Sequence, residues 1–310
     1  MTTAGRVLDQ ALRIADASPG DLVAIVGPTA SGKTSLAVEL AERLGGEIVS
    51  ADSVQIYRRF DIGSGKPTAD ERARAPHHLV DVVDPLDPMD AAVWARMAEA
   101  AIADVRARGR VPIVCGGTFL WVKALLFGLA EAPSADAETR ERHRAIAERD
   151  GRPALHERLR AVDAETAARL HPNDFVRVSR ALEVLELTGK PMSAWQRDHG
   201  FARPRHRARL MAIACEPAVL TERIAARAQA WLAGGWREEV EALLAAGFGE
   251  ARAMASVGYA QVRAVLAGQA PADDLEGAVV RATRVFARRQ RTFLNPAEVT
   301  WLGSEREAGV

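Results

Sequence analysis

Eight residues near the start of the chain, Gly27-Pro28-Thr29-Ala30-Ser31-Gly32-Lys33-Thr34, follow the spacing G-x-x-x-x-G-K-T. Glycines at that spacing let the backbone bend so that successive N–H groups point inward. The N-terminus of a following helix adds partial positive charge, so the loop is a cage for a di- or triphosphate. Lys33 suits terminal phosphate oxygens and the Thr34 hydroxyl suits Mg²⁺. The bland alternative is a glycine turn carrying an exposed lysine. A phosphate cage does not name a reaction, because NTPases and kinases of this kind also need a carboxylate at the end of another strand. The run Val111–Cys115 ends in Gly116-Gly117-Thr118, without one. Asp52, in Ser50-Ala51-Asp52-Ser53, is the strand-end carboxylate within reach. At the carboxyl end of a parallel strand it would face the ligand and could accept a proton from a nucleophile. It could equally cap the next segment through an Asx-type hydrogen bond, and spacing does not choose between the two.

Such a loop needs a strand before it and a helix after it. Leu22–Val26 is a short uninterrupted apolar run, expected of a strand covered on both faces. From Lys33 the spacing turns helical, with Leu36, Leu40 and Leu44 on one face and Gly45 and Gly46 ending the helix. Further strands are expected at Glu47–Ser50, Val111–Cys115, Leu210–Cys215 and Val299–Leu302. Helices are expected at Ala91–Arg108, around Glu222–Ala246, at Tyr259–Leu266 and at Leu275–Leu294. An amphipathic stretch through Val7, Leu8, Ala11, Leu12 and Ala15 precedes them all. Strands alternating with helices predict an α/β fold: a P-loop NTPase-like parallel sheet flanked by helices. Residues 131–200 read differently, as polar helical sequence with no strand. The expected organisation is therefore a core in two parts, 1–130 and 201–310, around an all-helical insertion at 131–200.

The 310 residues are 48% hydrophobic and 26% charged, an ordinary globular mixture. Lys plus Arg (41) balances Asp plus Glu (41), so no whole-molecule field draws the chain to nucleic acid or membrane, and any basic surface is local. Arg281, Arg284, Arg288 and Arg291 fall within about an 80° arc of one helix and form such a surface, unless acidic neighbours balance them. Arg203, Arg205, Arg207 and Arg209 cluster where the insertion rejoins the core. Cys115 and Cys215 are too few and too far apart for a disulfide framework or a cysteine zinc site. No apolar run is long enough to span a membrane. Asp9, Arg13 and Asp16 stand where a signal peptide would need its apolar centre. A soluble cytoplasmic protein is the expectation.

Nine motifs in order resemble those of the tRNA dimethylallyltransferases, also called isopentenyl-diphosphate:tRNA transferases. They are GPTASGKT at 27–34, SADSVQIY at 50–57, DIGSGKP at 61–67, PHHLVD at 76–81, GGTFLWVKAL at 116–125, PSAD at 133–136, PNDFVRVSRALEV at 172–184, VGY at 257–259 and TRVFARRQRTFL at 283–294. The resemblance implies transfer of a dimethylallyl group from dimethylallyl diphosphate to the exocyclic N6 of the adenosine 3′-adjacent to the anticodon of tRNA, with Mg²⁺ and on a monomer. The phosphate loop would then hold a leaving diphosphate, Gly27, Pro28, Thr29, Ala30, Ser31, Gly32, Lys33 and Thr34 lining it, with Thr34 on the metal. By the same resemblance Asp52 is the base, Arg227 contacts the diphosphate and Thr118 lies at the site near the tRNA. Asp52, Ser53, Val54 and Gln55 match tRNA-contacting segments, as do Val176, Arg177, Val178, Ser179 and Arg180, and Val257, Gly258 and Tyr259, with Arg140 a further candidate. A target base in the anticodon loop must leave its stack to reach Asp52.

The chain departs from the pattern at Trp121, where the family has Tyr, at Ala260-Gln261, and at Phe293 and Asn295, which puts particular RNA contacts in doubt. The zinc finger that eukaryotic relatives add is not expected with two cysteines. Three other readings share the loop: a small-molecule or nucleotide kinase, a non-catalytic nucleotide switch, and an enzyme that prenylates free adenylates. The helical insertion and the basic stripe favour a macromolecular acceptor over the last.

Overall fold

The computed structural model describes residues 3–130, 132–133, 135–200, 204–294 and 298–303. Ser134, Arg203 and Asn295 lie outside the described residues, as does the tail from 304. The chain forms two compact units, one of Met1–Leu126 with Arg205–Val310 and the other of Phe127–Pro204, where the sequence suggested joints at 131 and 200.

The first unit is built on a six-stranded parallel sheet. In chain order its elements are α1 (Thr3–Asp16), β1 (Leu22–Val26), α2 (Lys33–Leu44), β2 (Gly46–Ser50), α3 (Ala69–Arg74), β3 (His77–His78), α4 (Ala91–Ala107), β4 (Val111–Gly116) and α5 (Phe119–Phe127). The second unit then supplies α6 (Ala137–Asp150), α7 (Arg152–Val162), α8 (Ala164–Arg169), α9 (Phe175–Thr188) and α10 (Met192–His199). The first resumes with β5 (Ala208–Ile213), α11 (Pro217–Ala233), α12 (Trp236–Ala245), α13 (Tyr259–Leu266), α14 (Leu275–Leu294) and β6 (Thr300–Leu302). No helix among the described residues is long and apolar enough to cross a membrane.

The strand order is β3-β2-β4-β1-β5-β6. β1 is paired on both edges and covered on both faces, so all five of its residues are buried, as its unbroken apolar run requires. On one face α1 and α2 set Val7, Leu8, Leu36 and Leu40 against Val23, Ile25, Ile48 and Ile113. Register then brings the strand ends together. Val26 stands opposite Gly116 and Ala212, and Ser50 opposite Cys115. The loops that follow β1, β2 and β4 therefore open at one edge of the sheet, the place where α/β proteins bind ligands. Trp94 of α4 fastens this edge from the side by donating its indole N–H to the Ser50 carbonyl at 3.0 Å, and it stacks on Trp121 at 5.3 Å.

Several boundaries differ from expectation. β5 lies two residues earlier than expected at both ends, because Ala208 and Arg209 pair with Leu22 and Val23 although Arg209 is exposed and charged. The helical stretch expected around 222–246 is two helices separated by Gly234 and Gly235. α3 was not expected; it is held by its cap, the Thr68 hydroxyl accepting from Glu71 N and the Glu71 carboxylate from Thr68 N. α5 is apolar at every position but Lys123 and mostly buried, so it shows little helical period.

The second unit buries its own core of Leu155, Leu159, Val178, Ala181 and Leu182. Glu183 is fully buried there. Its carboxylate accepts from Asp136 N at 2.7 Å, Arg140 Nε at 2.8 Å and Arg180 Nη1 at 2.6 Å.

Candidate active site

The loop after β1 takes the bend its glycines permit. Gly32 sits in the left-handed region at φ 92° and hands over directly to Lys33, the first residue of α2. Lys33 Nζ folds back to the Pro28 carbonyl at 2.7 Å. Enclosure of that ammonium pushes its pKa down and Arg227 adds to this, while Cys115 and Asp52 oppose it. The Ser31 hydroxyl is buried with no partner among the described residues, and so is Arg227 Nε. Arg227, half-buried on α11, donates from Nη2 to the Thr29 hydroxyl and lies over the Trp231 ring at 4.6 Å. Its pKa too is pushed down by burial, with Asp52 opposing. Enclosed cations and buried donors around one loop make a site suited to an anion.

A cavity of about 800 Å³ opens on this loop. Thr29, Ala30, Gly32, Lys33 and Thr34 line it on one side and Asp52, Ser53, Val54, Gln55 and Thr118 on another. Arg223, Arg227 and Arg252 add charge, and Trp231, Trp236 and Phe286 add an apolar wall. That mixture fits a ligand with an anionic head and an apolar body.

Asp52 makes the Asx-type hydrogen bonds that one of the two readings of the sequence expected. Oδ1 accepts from Val54 N at 2.9 Å and Gln55 N at 3.2 Å, closing an Asx turn. Both bonds fall on one oxygen, Oδ1, of a residue that lines the cavity. Thr118 is tied to the same turn: its hydroxyl accepts from Ser53 N at 3.1 Å, and its own N–H donates to the Ala51 carbonyl at 3.1 Å. Gln55 Nε2 donates to the Gly65 carbonyl at 2.8 Å and so holds the next wall segment. Glu239 holds its other end, accepting from Asp61 N at 3.0 Å, Ile62 N at 2.7 Å and the Tyr259 hydroxyl at 2.6 Å.

Some residues expected to touch RNA are placed elsewhere. Tyr259 is fully buried, its phenol pushed up by desolvation and by Glu239. Gly258 is buried and its N–H is taken by Gln261 Oε1 at 2.7 Å, whereas Val257 lines the cavity. In the second unit, Val178 and Ser179 are buried, the latter bonded to His143 at 2.9 Å, so neither side chain is a surface contact. Val176 is 74% exposed; Arg177 is exposed and paired with Asp174 at 2.7 Å, while Arg140 and Arg180 hold Glu183. Trp121 is buried against Trp94, so its departure from tyrosine concerns packing; Phe293 is 53% exposed. On α14, Arg281 is paired with Asp274 and Arg284, Arg288 and Arg291 are exposed. Arg205 is balanced by Glu99, and Arg207 and Arg209 by Asp21.

Sequence reasoning missed Arg223, Trp231, Arg252, Glu239 and Gln290. Arg223 lies one helical turn before Arg227 on α11, a signal that was available. The others are common residue types far from the loop in sequence, and only the fold delivers them.

Fold and site together define an α/β phosphate-loop protein whose cavity pairs an anion cradle with a carboxylate. The model for IPP transferase matches residues 55–297, and that for isopentenyl transferase residues 20–77. A tRNA dimethylallyltransferase of Sorangium cellulosum (strain So ce56) is 63% identical over 289 residues, 93% of this chain and 92% of that protein. One from Anaeromyxobacter dehalogenans (strain 2CP-C) is 54% identical over 288 residues, 92% of each. Among solved structures, the full-length tRNA isopentenylpyrophosphate transferase from Bacillus halodurans matches with a TM-score of 0.67 at 36% identity, over 92% of this chain and 90% of that one. A eukaryotic dimethylallyltransferase acting on tRNA matches with a TM-score of 0.73 at 26% identity, over 89% and 70%. The chain belongs to the IPP transferase family.

Proposed function

We propose that this protein is a tRNA dimethylallyltransferase, moving the dimethylallyl group of dimethylallyl diphosphate to N6 of the adenosine 3′-adjacent to the anticodon. The observation that carries this reading is the shared cavity, in which the phosphate loop with Lys33 and Arg227 faces the Asp52 carboxylate. In the reaction, the N6 lone pair forms a bond to C1 of the dimethylallyl group. The C1–O bond breaks, its electron pair leaves on the diphosphate, and the N6 proton passes to the Asp52 carboxylate. Allylic C1 gains cationic character as the diphosphate departs, so most of the catalysis lies in stabilising the departing charge. Lys33, Arg227 and the loop N–H groups do that, and the apolar wall of Trp231 and Trp236 keeps water from the carbon. Adenine N6 is a weak nucleophile, its lone pair delocalised into the ring, and a carboxylate that removes its proton favours capture.

Mg²⁺ fits the residues present. The Thr34 hydroxyl lines the cavity, and no cluster of three His, Cys, Asp or Glu ligands exists among the described residues. This ion retains several waters and takes one or two protein oxygens plus substrate phosphates. Held by Thr34 and the donor, it would add positive charge to the leaving group.

The reading extends to the rest of the chain. The helical unit grips the anticodon arm, and the exposed Arg284, Arg288 and Arg291 meet RNA phosphates, which dominate the affinity of such contacts. The enzyme works in the cytoplasm as a monomer. Incubation with tRNA, dimethylallyl diphosphate and Mg²⁺, followed by mass spectrometry of the nucleosides, tests the proposal. Dimethylallyl-adenosine formed with release of diphosphate supports it, and phosphate transfer from ATP to any acceptor would point to a kinase instead.

A further inference from the structure

Gln290 lies on α14, within the Arg-rich segment, and is neither a charge nor a conventional phosphate ligand. Its carboxamide bridges the two halves of the cavity. Oε1 accepts from Thr29 N at 2.8 Å, and Nε2 donates to the Gly117 carbonyl at 3.0 Å. Thr29 belongs to the phosphate loop, and Gly117 precedes Thr118, whose hydroxyl holds the turn carrying Asp52. The fit is close: a Cβ at residue 117 would overlap the Gln290 nitrogen, so a side chain there would displace the carboxamide. Thr29 is thus gripped twice, on its hydroxyl by Arg227 of α11 and on its N–H by Gln290 of α14.

We propose that Gln290 is a positioning residue for prenyl transfer, setting the loop that holds the diphosphate at a fixed offset from the turn that carries the base; this rests on the functional reading above. The bridge needs one acceptor and one donor at opposite ends of a single planar group, which an amide of this length supplies. A glutamate keeps the volume and can accept from Thr29 N, but it has no proton for the Gly117 carbonyl. Alanine removes both bonds and frees the Thr29 N–H, which the donor's phosphates can then use. Donor affinity therefore does not depend on the bridge, whereas the in-line placement of C1 against N6 does. Misplacement of that kind costs rate at saturation and not binding. On α14, Gln290 lies well around the helix from Arg284, Arg288 and Arg291, so one helix aligns the site with one face and presents positive charge on another.

The test compares Gln290→Ala and Gln290→Glu with the wild type in single-turnover transfer at saturating donor and tRNA, with the affinity of each substrate measured separately. Gln290→Ala is expected to bind donor and tRNA within about twofold of wild type, Gln290→Glu to bind donor more weakly because its charge sits beside the phosphate loop, and both to transfer roughly ten- to a hundredfold more slowly at saturation. Gln290→Glu guards against a packing effect, since it fills the same space. Transfer by both variants within about twofold of wild type would overturn the proposal, as would a loss wholly accounted for by weaker substrate binding. Absence of product from the wild-type protein in the same assay would remove the functional reading, and this proposal with it.

Discussion

Arg227 donates a hydrogen bond to the Thr29 hydroxyl from 198 positions away in the sequence, tying α11 to the phosphate loop. The guanidinium is held flat by Trp231, and its Nε is enclosed with no partner among the described residues. A cation so placed is already oriented before an anion arrives, which is what stabilisation of a leaving group requires. Arg227→Lys keeps the charge but loses the planar fork and the stacking. It should lower the transfer rate by about 10²–10³ and weaken inorganic diphosphate binding. Calorimetry with diphosphate and single-turnover kinetics check this; an unchanged rate would deny Arg227 its part.

Glu183 makes the second unit sensitive to acid. Burial pushes its carboxyl up, but hydrogen bonds from Arg140, Arg180 and Asp136 N outweigh this and hold it below the ordinary 4.5. A depressed carboxyl stabilises the fold above its unfolded pKa, and that contribution fades as pH falls through the folded value. Glu183→Gln should therefore cost about 2 kcal/mol at neutral pH, and the gap from wild type should close on acidification. Thermal unfolding of both proteins across pH gives the answer; a gap that stays constant would show that the charge is irrelevant.

Cys115 borders the cavity yet should resist alkylation. Burial pushes its thiol up to about 11, with Lys33 pulling the other way and Asp52 and Glu71 reinforcing the rise. The thiolate is the nucleophile, so at about pH 8 iodoacetamide should label the half-buried Cys215 first. Peptide mass spectrometry reads the order directly, and early labelling of Cys115 would contradict it. The same shift predicts that stability declines as pH climbs from the ordinary 9.0 towards about 11, where only the unfolded chain gives up this proton.

The parts legible in the sequence were those whose physics is local. β1 and α13 fall where their apolar pattern ends, and α14 ends at Leu294 as expected. The phosphate loop was legible because its glycines and Lys33 lie within eight consecutive positions. Asp52 was visible as a carboxylate at a strand end, but that it closes a turn through Oδ1 alone is seen only in the structure. Gln290, Glu239 and Arg252 act through contacts across the fold; Gln290 lies within the 283–294 motif, but nothing in that motif shows what it bonds, and nothing around Glu239 or Arg252 marks them. Burial worked in the other direction. Tyr259, Val178 and Ser179 lie in motifs that suggested RNA contact, and tertiary packing turned their side chains inward.

The central claim is that Asp52 takes the N6 proton opposite a loop that holds the diphosphate. Asp52→Asn is the sharpest probe, because asparagine keeps an oxygen for the Val54 and Gln55 N–H groups and removes only the basic function. The decisive measurement is its single-turnover transfer rate at saturating donor and tRNA, taken with its donor affinity. Donor binding within about twofold of wild type and a rate lower by about 10²–10⁴ are predicted. Transfer close to the wild-type rate would contradict the account.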